Sequence, residues 1–157
     1  MKKYLLVFSF YMMLAATGHA SEPVENEQSL ITSVLTLKSI IHNALNEKQA
    51  RSELGKIPNT QPFMKNGQYV GHQLIVNGKL AGIYRVRYQQ NTPVLAAYST
   101  VPLKVRNATK MYKAYRATLL KHHKEASYNH FDLGNGITAE LSKKLRSLSI
   151  FVSRKNN

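Results

Sequence analysis

The sequence contains no cysteine, and this absence removes several structural and chemical options at once. Without a thiol the chain has no disulfide, no thiolate metal ligand, no cysteine nucleophile and no cysteine that a lipid could modify. We therefore expect the fold to be stabilised by burial of apolar side chains, with no covalent cross-link.

Acidic residues are also scarce. Eight Asp and Glu stand against 22 Lys and Arg, and from Leu54 to Lys124 there are twelve basic residues and no acid. Glycosidase chemistry with two carboxylates is disfavoured by this scarcity, and the single aspartate, Asp132, leaves little choice for the orienting acid of a serine triad. A long span of one charge sign favours an anionic partner.

Long apolar runs are missing except at the amino terminus. Two lysines at positions 2 and 3 precede an apolar run at 4–16, and small residues at 18 and 20 suit cleavage by a signal peptidase. The run is shorter than the roughly 20 residues that a membrane-spanning helix needs. The sequence therefore predicts a signal peptide at 1–20, cut after Ala20, and a location in the periplasm or outside the cell.

Beyond the signal peptide we predict a mobile acidic leader at 21–27 and one domain at 28–157. The first element of this domain is predicted as a helix from 28 to 54, ended by Gly55. Its apolar stripe consists of Leu30, Val34, Leu37, Ile41, Ala44 and Leu45. The opposite face is polar but neutral, with Thr32, Thr36, Ser39, Asn43 and Asn46. A neutral face suits a contact with a partner or a second copy, so an oligomer formed through this helix is one hypothesis.

From 61 to 100 the apolar residues alternate, and Asn-Gly pairs at 66–67 and 77–78 indicate two tight hairpins. A hairpin centred on 77–78 places His72 opposite Ile83. We expect the face with Tyr84, Val86 and Tyr88 to line the core, and the face with Arg85 and Arg87 to be half exposed. A fourth strand is predicted at 94–101.

A second helix is predicted at 108–124, with Asn107 as its cap, followed by a loop at 125–136. A short hairpin at 134–136 is the alternative to that loop. For 137–152 the leucine spacing favours a third helix, with a strand at 149–153 as the alternative. The predicted fold class is α+β: an antiparallel meander of three to four strands packed against two or three helices.

One candidate catalytic cluster consists of His122, His123, His130 and Asp132. Histidine exchanges protons near neutral pH, so this set suits a small basic hydrolase or toxin that resembles a nuclease. Adjacent histidines diverge by about 100° on a helix, which does not match a zinc helix. The alternative is that His122 packs in the core while His123 and His130 are solvated. We therefore predict no metal site and no cofactor.

The second candidate is a basic surface on one strand and one helix, suited to an anion or an acidic partner. Its residues are Arg85, Arg87, Lys110, Lys113, Arg116, Lys121 and Lys124. Several tyrosines lie close to these cations in sequence, an arrangement that also suits nucleobase stacking. The alternative is that the helix lysines form an ordinary solvated face.

The composition favours a non-enzymatic periplasmic or secreted protein: an accessory, assembly or adaptor factor that binds an acidic protein or an anionic envelope component through the basic surface. Nucleic acid is a less favoured partner. The alternatives are the nuclease-like hydrolase and an inhibitor or immunity protein of a periplasmic enzyme.

Overall fold

Two helices open the part of the chain that the computed structural model describes, residues 27–155. Helix α1 spans Glu27–His42 and helix α2 spans Glu47–Leu54, so the single helix predicted for 28–54 is interrupted. Ala44 adopts a left-handed conformation (φ 48°) after α1. Asn46 then begins α2 as its cap, where its side chain accepts from Gln49 N and the Gln49 side chain accepts from Asn46 N. This capping box stabilises a new helix start, which the apolar stripe alone did not reveal.

Four strands follow: β1 (Thr60–Lys65), β2 (Gln68–Val76), β3 (Lys79–Gln89) and β4 (Thr92–Thr100). Both Asn-Gly hairpins are confirmed, and Asn66 and Asn77 have the positive φ that such turns require. The expected faces of β3 are also confirmed, because Tyr84 is buried and Val86 and Tyr88 are half-buried while both arginines are exposed.

A β-bulge changes the predicted pairing of β2 with β3. The register shifts between Leu74 and Ile75, so that His72 lies opposite Tyr84 and not opposite Ile83. Because side chains alternate along a strand, this one-residue shift moves His72 to the face that packs against the helices. His72 is accordingly 3% exposed.

The second half of the chain has far more strand than we predicted. Helix α3 spans Val105–His122, and four strands follow: β5 (Lys124–Ser127), β6 (His130–Gly134), β7 (Ile137–Lys143) and β8 (Leu148–Arg154). The predicted loop at 125–136 and the predicted helix at 137–152 are therefore wrong, whereas the two alternatives, a hairpin at 134–136 and a strand at 149–153, are confirmed. Alternate residues of β7 and β8 are buried, while Leu145, which completed the apparent helical stripe, lies in an exposed turn.

All eight strands form one antiparallel sheet in the order β1-β2-β3-β4-β8-β7-β6-β5. Two meanders of four strands thus meet where β4 pairs with β8, and each meander follows at least one helix. The predicted meander of three to four strands describes only the first of these halves. The fold class must be corrected to an eight-stranded sheet with three helices in residues 27–155.

The helices cover one face of this sheet. Helix α1 contacts β4, β8 and β7, helix α2 contacts β2 and β3, and helix α3 contacts α1 and β7. Apolar side chains from all three helices and from both halves of the sheet form one core. Each fully buried leucine or isoleucine contributes about 2 kcal/mol by leaving water, so this core meets the need for apolar stabilisation.

The predicted signal peptide at 1–20 and all of the acidic leader except Glu27 lie outside the described residues. Glu27 itself is the first residue of α1. Within residues 27–155 none of the helices is long and apolar enough to cross a membrane.

Candidate functional site

The four residues of the candidate catalytic cluster lie at the end of α3, in the residue that follows it, and on β6. His122 ends α3, where its Nε2 lies 3.2 Å from a carboxylate oxygen of Glu27. His130 and Asp132 alternate with buried neighbours along β6 and so point away from the core. His130 Nε2 lies 3.8 Å from Glu140, and Asp132 accepts from Gly134 N at 2.7 Å. In the described residues no three His, Asp or Glu side chains are grouped to hold a metal ion.

His123 is more buried than His122, which reverses the burial expected from the helical pattern. The helix ends at His122, and His123 leads directly into β5. Burial lowers the pKa of His123, the positive neighbours His122 and Lys38 lower it further, and Asp132 opposes them. Its Nε2 is buried with no hydrogen-bond partner among the described atoms. Its surroundings therefore favour the neutral form of the His123 imidazole.

The seven residues of the predicted basic surface are divided between the two faces of the sheet. Arg85 and Arg87 pair across the strands with Ala97 and Leu95, on the face that carries no helix. Lys110, Lys113, Arg116 and Lys121 belong to α3, and Lys124 begins β5. The structure therefore does not bring the two strand arginines together with the helix cations.

Two of the helix cations are already paired with carboxylates. Arg116 donates to both carboxylate oxygens of Glu125, at 2.7 and 2.8 Å, and its guanidinium lies 5.3 Å from the ring centre of Tyr128. Lys121 donates to Glu27 at 2.8 Å. The hydrogen bond from Asn129 N and the Arg116 ion pair hold the pKa of Glu125 below its usual range. The charges of Arg116 and Lys121 are thus balanced by carboxylates of the same chain.

A different group of cations is brought together where α3 begins. The start of this helix is joined to the turn between β7 and β8, because Leu103 N donates to Arg146 O (2.6 Å) and Arg146 Nε donates to Leu103 O (2.9 Å). We call the resulting cluster the basic end. Its members are Lys104, Arg106, Lys143, Lys144 and Arg146, and all five are exposed.

The helix start at the basic end is unusual in its electrostatics. Lys104 is the N-cap residue, in place of the predicted Asn107, and its side chain makes no capping hydrogen bond. The first turn contains no acid and includes Arg106. A helix N-terminus carries partial positive charge and normally attracts acids or capping oxygens, so cations here oppose the helix dipole.

The acids of the described chain lie elsewhere. Glu47 pairs with Arg51, Glu53 pairs with Lys56 at 2.5 Å, and the remaining carboxylates have the partners given above. In the part of the chain that the structure describes, no carboxylate forms an ion pair with any member of the basic end. Five positive charges and a helix N-terminus are therefore not neutralised by any carboxylate of residues 27–155, which suits the binding of an anion.

No family model, curated protein or solved structure shows significant similarity to this chain.

A small cleft beneath α2 is the second polar feature. The guanidinium of Arg51 lies 3.8 Å from the ring centre of Tyr69, and the Tyr69 hydroxyl is 2.6 Å from His72 Nδ1. The hydroxyl of Tyr88 is buried and has no partner among the described residues. Burial raises the pKa of both phenols to about 12, so they remain neutral.

This cleft has a volume of about 190 Å³, and its lining includes Glu47 as well as Arg51. The carboxylate neutralises the guanidinium, and the apolar side chains of Ala50, Leu54, Val70 and Val86 complete the wall. The cleft offers hydrogen bonds but no nucleophile and no net positive charge. It is therefore a weaker candidate for an anion than the basic end.

The basic end is not among the sequence-based predictions, although three of its five members lie close together in the chain. Lys143, Lys144 and Arg146 fall within four residues, but the predicted helix at 137–152 distributed them around a helical surface. Lys104 and Arg106 join them only through the contact between Leu103 and Arg146, which is tertiary.

Proposed function

We propose that this protein is a non-enzymatic binding factor of the periplasm or the cell exterior, and that it holds an anionic partner at the basic end. The observation that carries the proposal is the combination of five exposed cations, which form no ion pair with a described carboxylate, with a helix N-terminus whose N-cap side chain makes no capping hydrogen bond. Folding alone does not favour this combination, because the cations repel one another and oppose the helix dipole. A bound anion removes both penalties.

The separation of the histidines supports a binding role over catalysis. A nuclease of the kind considered above needs a general base, an acid and a cation around one phosphate. Of the three candidate histidines, His122 lies against Glu27, His130 lies near Glu140 and His123 is partly buried, and the basic end contains no histidine or carboxylate. The cationic surface is therefore proposed to bind its partner without transforming it.

A charge-reversal experiment tests the site. The double variant Lys143→Glu/Lys144→Glu is compared with the native sequence for binding to immobilised heparin, a sulfated polyanion, over a range of sodium chloride concentrations. We expect binding about tenfold weaker at physiological salt and a shallower dependence on salt, since exposed charges act through screened interactions.

The control must remove the same charge at the other end of the strands. Lys65 precedes the β1–β2 turn, and Lys48 lines a cavity with Asn91 of the β3–β4 turn. At the other end of these strands, Val101 N donates to Ala81 O, two residues before Leu103 and the basic end. The β1–β2 and β3–β4 turns therefore lie at the end of the sheet opposite to the basic end. The variant Lys48→Glu/Lys65→Glu should bind heparin nearly as well as the native sequence. Equal weakening by the two double variants would show that only net charge matters, and would contradict the proposed site.

A further inference from the structure

The basic end also presents two exposed apolar side chains, and each lies between cations. Leu145, in the β7–β8 turn, is 71% exposed and is flanked by Lys144 and Arg146. Val105, at the start of α3, is 47% exposed and is flanked by Lys104 and Arg106. The pattern of an apolar residue enclosed by cations therefore occurs in both segments that the Leu103–Arg146 hydrogen bonds join.

We infer that the anionic partner of the basic end is the surface of a lipid membrane, with Leu145 entering the interface between headgroups and acyl chains. This inference rests on the proposed function and specifies its partner. Lipid phosphates bind cations at the headgroup level, while apolar side chains gain free energy only in the layer beneath. The basic end carries both kinds of side chain on the same two segments.

The position of Leu145 suits such insertion. Lys144 N donates to Ser147 O at 2.9 Å, which closes a tight turn beyond the last paired residues, Lys143 and Leu148. The leucine therefore lies exposed at the tip of a hydrogen-bonded turn. Lysine and arginine have long stems that keep their charges at the headgroup level while a neighbouring side chain lies deeper.

Other anionic macromolecules make poorer use of these residues. Nucleic acids bind cations through phosphates and stack on aromatic rings, but neither segment of the basic end contains an aromatic residue, and phosphates gain nothing from Leu145. An acidic protein needs a pocket for the leucine, and protein interfaces are usually anchored by aromatic side chains. A lipid surface accepts a convex apolar tip without a preformed pocket.

The absence of tryptophan in the chain permits a direct test. In the full chain, Leu145→Trp places a single tryptophan at the tip, and Met64→Trp places one at another exposed apolar position, on β1 (51% exposed). Fluorescence is recorded with vesicles of equal parts phosphatidylglycerol and phosphatidylcholine, with phosphatidylcholine vesicles, and with heparin. Both variants have the same amino terminus, so attachment through the apolar run at 4–16 affects them alike.

We expect the emission of Leu145→Trp to shift to shorter wavelength with the anionic vesicles and to remain unchanged with phosphatidylcholine or heparin. Met64→Trp should show no shift. In parallel, Leu145→Ser should weaken co-sedimentation with anionic vesicles about tenfold, since it removes one leucine from the interface. The same variant should retain native binding to heparin.

The outcomes separate this inference from the proposed function. If Leu145→Ser binds anionic vesicles as the native chain does and the tryptophan emission does not shift, the membrane inference is wrong, and a polyanion or an acidic protein is the partner. If reversing Lys143 and Lys144 leaves binding to both heparin and vesicles unchanged, the proposed function itself fails. Leu145 is mostly exposed, so its replacement should not affect the thermal unfolding midpoint, which serves as the folding control.

Discussion

Gly82 shows how closely individual residues pack in the sheet. A Cβ atom at this position would lie 2.4 Å from Tyr98 Cε2, 2.6 Å from the Tyr98 hydroxyl and 2.7 Å from Ser99 O. Tyr98 cannot easily move, because it is buried and its ring centre lies 4.7 Å from that of Tyr84. Glycine is required at this position because a side chain would not fit. Backbone conformation is not the reason, because the φ of Gly82 is not in the left-handed region.

We therefore expect Gly82→Ala to lower the free energy of unfolding by at least about 2 kcal/mol, as overpacking of a rigid core does. Urea denaturation measures this change. Gly55→Ala is the matched control, because its added Cβ would be 3.4 Å from Arg51 O, an ordinary contact, and its φ is −67°. The control should change the free energy by less than about 0.5 kcal/mol. Similar values for the two variants would contradict the tight packing at Gly82.

At the scale of single elements, helix α3 has a start that is better suited to binding than to stability. Lys104 occupies the N-cap position, where Asp is among the most favourable residues. We expect Lys104→Asp to raise the free energy of unfolding by about 1 kcal/mol, because a carboxylate can accept from the first free N–H groups and interacts well with the dipole. The same variant should elute from heparin at lower salt.

Lys110→Asp is the control for the expected gain in stability and loss of heparin binding of Lys104→Asp. It makes the same charge change within the body of α3, on an exposed position. Since Asp has low helix propensity, we expect it to lower the free energy of unfolding by a few tenths of a kcal/mol. A Lys104→Asp variant that is no more stable than the native chain would mean that the helix start is not electrostatically unfavourable, and the main argument for the basic end would be lost.

The elements also show which features of the fold local sequence can predict. The hairpins at Asn66-Gly67 and Asn77-Gly78 were predicted correctly because the turn conformation depends on two adjacent residues. Strand β7 was missed, and β8 was given only as the alternative strand at 149–153, because leucines spaced by four and three residues fit a helix as well as two short strands. The β2 bulge and the contact of Leu103 with Arg146 depend on residues distant in sequence, so no local pattern reveals the position of His72 or the basic end.

At the scale of the whole molecule, the topology separates two tasks. The helices and the inner face of the sheet form the core, and the carboxylates of the described residues mostly pair with cations near α2 and near the end of α3. The start of α3 and the β7–β8 turn, which are joined by hydrogen bonds, form no ion pair with these carboxylates, so their cations keep their charge. Because this turn connects the central strand β8 to β7, the basic end is held by the middle of the sheet and not by a free edge.

Stability of the whole molecule should depend on pH through two histidines. Burial lowers the pKa of His72 and of His123, with further lowering of the His72 pKa by Arg51 and of the His123 pKa by His122 and Lys38. The unfolded chain takes up protons on these residues near pH 6.5, while the folded protein resists protonation. The free energy of unfolding should therefore be constant above about pH 7 and decrease as the pH falls below about 6.5.

Carboxylates contribute in a separate range, because the pKa values of Glu27 and Glu125 are lowered by their hydrogen bonds and cationic neighbours. Their contribution is lost only as the pH falls below 4.5. Urea denaturation between pH 7.5 and 5 consequently isolates the histidines. His123→Gln should reduce the decrease in stability over this range, whereas Lys124→Gln at the adjacent exposed position should not. A native chain whose stability does not change from pH 7.5 to 5 would show that neither imidazole is held neutral by the fold.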